Sequence, residues 1–187
     1  MKKINFGSGE YLKPGYFNVD GFFEADLRHD LNSIPYPIPS NSYDLLEIHH
    51  VLEHLDRPFE VMAEIKRVAR NGAEISVRVP HFSRGFTHPD HKRGFDISFP
   101  LYFDERKIQF FGSGGKTSLK IKKVRMEWYA QPYLKKEILS PFIHYPLYFF
   151  SKIINFFANI SPAFCSRIWC FWVGGFEEVE FIFLVKK

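Results

Sequence analysis

Gly7, Ser8 and Gly9 follow directly on the alternating run Ile4-Asn5-Phe6, and a second short run, Phe17-Asn18-Val19, ends on the carboxylate of Asp20. Glycines after a strand let the chain turn with φ > 0 and let a ligand approach the backbone. An acid at the end of the next strand can accept the hydroxyls of a ribose. The pair points to a nucleotide-like ligand, although Asp20 also suits a plain turn or cap. A nicotinamide-dependent reductase is disfavoured, because Tyr11 and Leu12 follow Glu10 where the third glycine of the dinucleotide fingerprint would come. A second group that could do chemistry is His81, His88, Asp90, His91 and Arg93. Histidine titrates near neutral pH and suits a general base, with Asp90 as an orienter. Imidazole and carboxylate also suit zinc or iron, but the spacing of His81, His88, Asp90 and His91 matches no standard ligand pattern, so the expectation is a base and no metal.

The elements that must position these residues are legible in outline. Lys13-Pro14-Gly15 reads as a turn and leaves room for at most one turn of helix between the first two strands. A short third strand is expected within Glu24 to Leu31, ending at Asp30, followed by a proline-rich loop from Ile34 to Ser42. Tyr43 to Ile48 reads as a buried strand closed by His49-His50. Val51 to Asp56 leads into a helix with Pro58 in its first turn, and Phe59, Met62, Ile65 and Val68 fall on one face. Glu53 and His54 then start that helix, where capping accounts for them. Asn71-Gly72 reads as its stop and Ala73 to Pro80 as the next strand. His81 to Phe103 breaks the pattern, a helix is expected from Asp104 to Phe111, and Leu119 to Tyr129 reads as an exposed strand. Leu139 to Val173 is aromatic and interrupted by Pro141, Pro146 and Pro162, and Glu177 to Val185 is the last strand. Alternation of strands and helices makes the class α/β, with residues 1–187 as one domain and 139–175 as a helical insertion.

Composition narrows the function classes. The chain has 187 residues, 45% hydrophobic and 25% charged, with a net charge of +4. That mild excess suits anionic substrates or membrane surfaces, and no nucleic-acid-binding motif accompanies it. Cys165 and Cys170 are not a CxxC pair and suggest a reduced, cytoplasmic setting. Met1-Lys2-Lys3 runs into a strand without an apolar segment, so no signal peptide is expected, and no apolar run is long enough for a spanning helix. The aromatic insertion reads first as core and as a cap over an acceptor pocket, with Phe142, Leu147, Phe149, Phe150, Ile153, Ile154, Phe156 and Phe157 buried. The second reading is an interfacial helix against a bilayer, helped by Lys152, Arg167, Lys135-Lys136 and the charges from Lys120 to Arg125.

Gly7-Ser8-Gly9, Pro14-Gly15-Tyr16-Phe17-Asn18-Val19-Asp20, His29-Asp30-Leu31-Asn32, Pro37 through Asp44, His50-Val51-Leu52-Glu53-His54-Leu55, and Arg67-Val68 with Asn71-Gly72-Ala73 come in that order. The set resembles class I S-adenosylmethionine-dependent methyltransferases, in a compact subgroup with a shortened first crossover helix. The resemblance implies a Rossmann-like fold with a mostly parallel sheet and S-adenosyl-L-methionine as cofactor. It implies that backbone near Phe6, Gly7, Ser8 and Gly9 meets the amino-acid end of the cofactor, and that Asp20 binds the ribose. Asp30 and Leu31 would flank the adenine, and His49 and His50 would close the methionine side. Most of the broad family has a longer helix after the glycine turn, so the methionine end would be held differently here. Similar proteins carry a Pro-His and a later Asp-Pro-x-His, matched by Pro80-His81 and less closely by His88-Pro89-Asp90-His91; His81 or His91 is therefore the expected base. The implied reaction is methyl transfer, most naturally to oxygen, on a small-molecule or glycan-type acceptor, in keeping with the association of such proteins with surface-glycan genes. The alternative is a cofactor-binding module without catalysis that acts through a partner.

Overall fold

The computed structural model describes residues 1–84, 88–104 and 117–187; the helix expected from Asp104 to Phe111 and its glycine stop lie outside the described residues beyond position 104. Among the described residues seven strands form one sheet: Lys3–Phe6 (β1), Phe17–Asp20 (β2), Leu27–Arg28 (β3), Tyr43–His49 (β4), Ala69–Pro80 (β5), Lys120–Glu127 (β6) and Glu178–Leu184 (β7). The order is β3-β2-β1-β4-β5-β7-β6. Neighbours from β3 through β5 pair in parallel, and β7 runs antiparallel to both β5 and β6. This is the expected α/β architecture. The third strand is shorter than expected because Asp30 builds a turn: its carboxylate accepts the Asn32 N–H at 2.9 Å and its carbonyl accepts the Ser33 N–H.

Alternation along the strands sends Ile4, Phe6, Leu46, Ile48, Ile75, Val77, Val79, Phe181 and Phe183 into one buried core. Helix α1, Pro58–Val68, adds Val61, Met62, Ile65 and Val68 to it. The 3₁₀ turn Phe99–Phe103 adds a ring cluster in which Phe59 meets Phe99, Tyr102 and Phe103. The intervening strand positions are polar and neighbour one another by register: Asn5 beside Asn18 and Glu47, Glu47 beside Ser76, and Arg78 beside Glu180. The connections 7–16 and 21–26 contain no helix. Without a crossover helix to bury them, these positions carry hydrogen-bonding side chains, such as Arg78 Nε to Glu180 Oε1 at 2.8 Å.

Two boundaries differ from expectation. Helix α1 begins at Pro58, so Val51 to Leu55 form turns, and Glu53 lies in a turn with no exposed surface rather than at a helix start. Asn71-Gly72 lies inside β5, where the register slips from Tyr43 opposite Ala69 to Leu45 opposite Glu74 and Gly72 takes φ 80°. The glycine therefore serves a bulge four residues past the helix end.

After β6 comes α2, Pro132–Ile138, and the insertion then opens with α3, Pro141–Ile160, which continues through Pro146. Further helical turns occupy Pro162–Phe164, Cys165–Trp169 (π-wound) and Cys170–Trp172. The expectation that its phenylalanines are core is overturned. Helix α3 buries His144, Ser151, Asn155 and Ala158 and leaves Phe142, Phe149, Phe150, Phe156 and Phe157 exposed. The cause is the edge strand β6, whose unpaired backbone needs partners. Asn155 Oδ1 accepts the Trp128 N–H and Asn159 Oδ1 the Met126 N–H, each at 2.8 Å, while Asn159 Nδ2 donates to the Met126 carbonyl at 2.9 Å.

Candidate active site

A cleft of about 830 Å³ opens at the C-terminal ends of β1, β2 and β4, lined by Gly7, Gly9, Asp20, Leu31, His50, His54 and His91 among others. Strand order reverses between β1 and β4, and open α/β sheets bind ligands at that switch point. The volume lies within the range of small-molecule sites.

The glycine turn is held from within. Gly7 and Ser8 both donate N–H to the Val19 carbonyl, at 2.7 and 3.2 Å, and Gly9 donates to Asp20 Oδ2 at 2.8 Å. Gly7 has φ 72°, and a Cβ there would stand 2.2 Å from Val51 Cγ2, so packing against the chain itself requires this glycine. Gly9, with φ 59°, would point a Cβ into open space. Asp20 Oδ1 accepts the N–H groups of Phe22 and Phe23 at 2.8 and 3.0 Å. Burial raises the Asp20 pKa, but the backbone donors outweigh it and keep the carboxyl below its usual range. Asp20 is thus a turn-organising residue as well as a cleft wall. Ser8 Oγ is buried with no hydrogen-bond partner among the described residues. Ser8 is not among the residues lining the cleft; the anionic Asp20, the glycine turn and the cleft volume fit S-adenosylmethionine.

The other expected contacts separate. Phe6 is core, its ring against Tyr36. Asp30 and Leu31 line the cleft, Asp30 exposed at the rim and Leu31 buried. His50 lines it too, in the left-handed region at φ 56°, with Nε2 2.6 Å from Glu178 Oε2. Burial lowers its pKa, but the hydrogen bond to Glu178 and the nearby carboxylate of Glu53 prevail and raise it to about 9. His49 points to the polar side of the sheet, onto Ser76 Oγ at 2.9 Å, and burial lowers its pKa to about 4. His49 is not among the residues lining the cleft.

The two candidate bases have different surroundings. His81 has no exposed surface; its Nδ1 is 2.7 Å from Ser83 Oγ and its Nε2 2.9 Å from Ser166 Oγ, tying the segment after β5 to the insertion. Burial lowers its pKa to about 4. His91 lines the cleft, with Nε2 3.9 Å from Glu53 Oε1. Its loop is fixed by the Lys92 N–H donating to the Glu53 carbonyl at 2.9 Å. Asp90 has a largely exposed carboxylate 4.0 Å from His88 Nδ1, and its carbonyl lies 3.2 Å from His54 Nδ1. Glu53 and His54 were not singled out from sequence as site residues. The signal was their place four and five positions into the run that starts at His49, which a helix-start reading hid.

Comparison with known proteins agrees with this geometry. Residues 19–77 match the family model of a methyltransferase domain. A SAM-dependent methyltransferase from Archaeoglobus fulgidus aligns at 17% identity over 98% of this chain and 85% of that one, with a TM-score of 0.53. The YcgJ protein of Bacillus subtilis aligns at 12% identity over 100% and 92%, with a TM-score of 0.53. A SAM-dependent methyltransferase from Aquifex aeolicus aligns at 11% over 99% and 82%, with a TM-score of 0.51. At these identities the structural likeness is one of fold. Among curated proteins no match is found. Fold and cleft together define the class: a Rossmann-like, class I methyltransferase architecture. The sequence match to a methyltransferase domain covers residues 19–77, from β2 into β5, and the fold around it is that of S-adenosylmethionine-dependent methyltransferases.

Proposed function

We propose that the chain, acting as one domain over residues 1–187, methylates an oxygen of a small-molecule or glycan-type acceptor. The observation that carries this reading is the cleft at the switch point, where the glycine turn, Asp20 and His91 meet. S-adenosylmethionine supplies a methyl group on a sulfonium that is open to in-line displacement. Asp20 accepts a ribose hydroxyl beside its backbone donors, Leu31 packs on the adenine and Asp30 stands at the rim. Backbone at Gly7 and Gly9 faces the amino-acid end. His91 assists loss of the acceptor's proton as a base. His81, bonded on both ring nitrogens, holds the insertion against the segment after β5. A module without catalysis would have the cleft filled by the Phe150 region; Phe150 is exposed and is not among the cleft-lining residues, which supports the enzyme reading. The test is methyl transfer to a panel of hydroxylated small molecules and sugars. Turnover that falls at least tenfold in His91→Ala supports the reading, and S-adenosylhomocysteine binding without turnover on any acceptor favours the module.

The working place proposed is the cytoplasmic face of a membrane, with an acceptor in surface-glycan biosynthesis. Helix α3 turns its polar stripe inward and its aromatic side outward: Asn155 is 6% exposed, Phe142 92% and Phe156 66%. Residues 138–176 contain no Asp or Glu and two cations, Lys152 and Arg167. An apolar face of this kind beside basic residues suits an anionic bilayer surface. Among the described residues no helix is long and apolar enough to cross a membrane. Glu127 pairs with Glu178, and Glu178 with Pro80, so the insertion leaves the sheet at the end where the cleft opens.

A further inference from the structure

We infer that Glu53, His54 and His91 form a binding site for a divalent transition-metal ion inside the cleft. The three side chains each bring a ligating atom within 4.8 Å of the other two. Glu53 has no exposed surface, and among the described residues neither of its carboxylate oxygens has a hydrogen-bond partner. A buried carboxylate is costly unless charge or hydrogen bonds compensate it. What faces it is imidazole: His50 Nδ1 at 3.6 Å and His91 Nε2 at 3.9 Å from Oε1. Side-chain rotations of about an ångström close such a group to metal-ligand distances.

The outer contacts have the form that metal-binding histidines require. His54 Nδ1 faces the Asp90 carbonyl at 3.2 Å. A carbonyl only accepts, so Nδ1 carries the proton and Nε2 keeps its lone pair. His50 stands beside the set, with Nε2 on the Glu178 carboxylate at 2.6 Å and Nδ1 3.6 Å from Glu53, and is not one of its ligands. Two imidazoles and one carboxylate suit zinc, iron(II), manganese or cobalt and leave coordination positions open toward the cleft. The sequence grouping of His81 with His88, Asp90 and His91 hid this set, because His81 belongs to the serine-bonded contact with the insertion.

The inference deepens the proposed function and rests on it for the acceptor. An acceptor hydroxyl on the ion would lose its proton to water as the O–H bond breaks, leaving the electron pair on the metal-bound oxygen. His91 would then assist as a ligand rather than as the proton's destination.

The test is calorimetric titration of chelator-treated full-length protein with zinc and manganese chlorides, and with cobalt chloride read by its visible absorption. S-adenosylhomocysteine is titrated separately. One ion per chain is expected, with affinity falling at least about tenfold in Glu53→Gln and in His91→Ala and unchanged in His88→Ala. His91 lies on a loop, so His91→Ala keeps the test valid if Glu53→Gln does not fold. Absence of binding in the wild type, or equal binding in His91→Ala, overturns the inference. Binding of S-adenosylhomocysteine with no ion bound leaves the methyltransferase reading standing; metal binding without it separates the two the other way.

Discussion

Single atoms decide what the glycine turn can tolerate. At Gly7 a methyl group meets Val51 Cγ2 at 2.2 Å in a left-handed backbone, whereas at Gly9 only the backbone conformation objects. Gly7→Ala should therefore cost about 2 kcal/mol or more, and Gly9→Ala about half that, as read from denaturant midpoints. Equal losses would show that the Val51 contact does not matter. His81 carries a pH signature. It stays neutral when folded, with a pKa near 4, against about 6.5 when unfolded. Between those values the unfolded chain binds the extra proton, so stability falls as pH drops from 6.5 towards 4, by about 3 kcal/mol for this group. His81→Gln should flatten that part of the stability profile; an unchanged slope would mean that His81 is not the buried titrating group. The importance of the turn was legible in the residues, since Gly7, Gly9 and Asp20 stand out by type and spacing. Glu53 was not legible, because burial of a carboxylate in a turn leaves no periodic trace.

Among the elements, the proline-rich loop shows how a site wall is held. Arg67 bonds both oxygens of Glu64, the Ile38 and Tyr36 carbonyls and Ser40 Oγ, pinning residues 36–40 to α1. Tyr36 in turn donates its hydroxyl to the Leu31 carbonyl at the cleft. Arg67→Ala should cost roughly 1–3 kcal/mol, because the mostly buried Glu64 loses its cation. It should also weaken S-adenosylhomocysteine binding through Leu31; a stability loss with unchanged affinity would uncouple the loop from the cleft. Sequence periodicity located β1, β2, β4, α1, β6 and β7 to within a few residues, since each follows its own burial pattern. It failed for α3. There the helix turns Ser151, Asn155 and Asn159 toward an edge strand, and hydrophobic density reads as core only when the apolar side faces inward. The short link from Gly9 to Asp20 left room for at most one turn of helix, and none forms there; the polar sheet face that results depends on cross-strand register.

For the whole molecule, the sheet places two surfaces at one end: the cleft at the switch point and the acid-free aromatic insertion. Sedimentation with phosphatidylglycerol vesicles should carry the protein down at low salt, less so with phosphatidylcholine, and Phe149→Ser with Phe156→Ser should abolish it without changing S-adenosylhomocysteine affinity. Sedimentation that survives both substitutions would remove α3 from the contact. The central claim concerns the cleft, and calorimetric titration with S-adenosylhomocysteine tests it most directly, on the wild type beside Asp20→Ala. Losing an acceptor for three backbone donors should cost Asp20→Ala roughly 1–3 kcal/mol of stability, so a thermal melt of each sample is recorded alongside. The account predicts one binding site in the wild type and at least about a tenfold loss of affinity in a still-folded Asp20→Ala. A folded wild type that binds neither S-adenosylhomocysteine nor S-adenosylmethionine would contradict it.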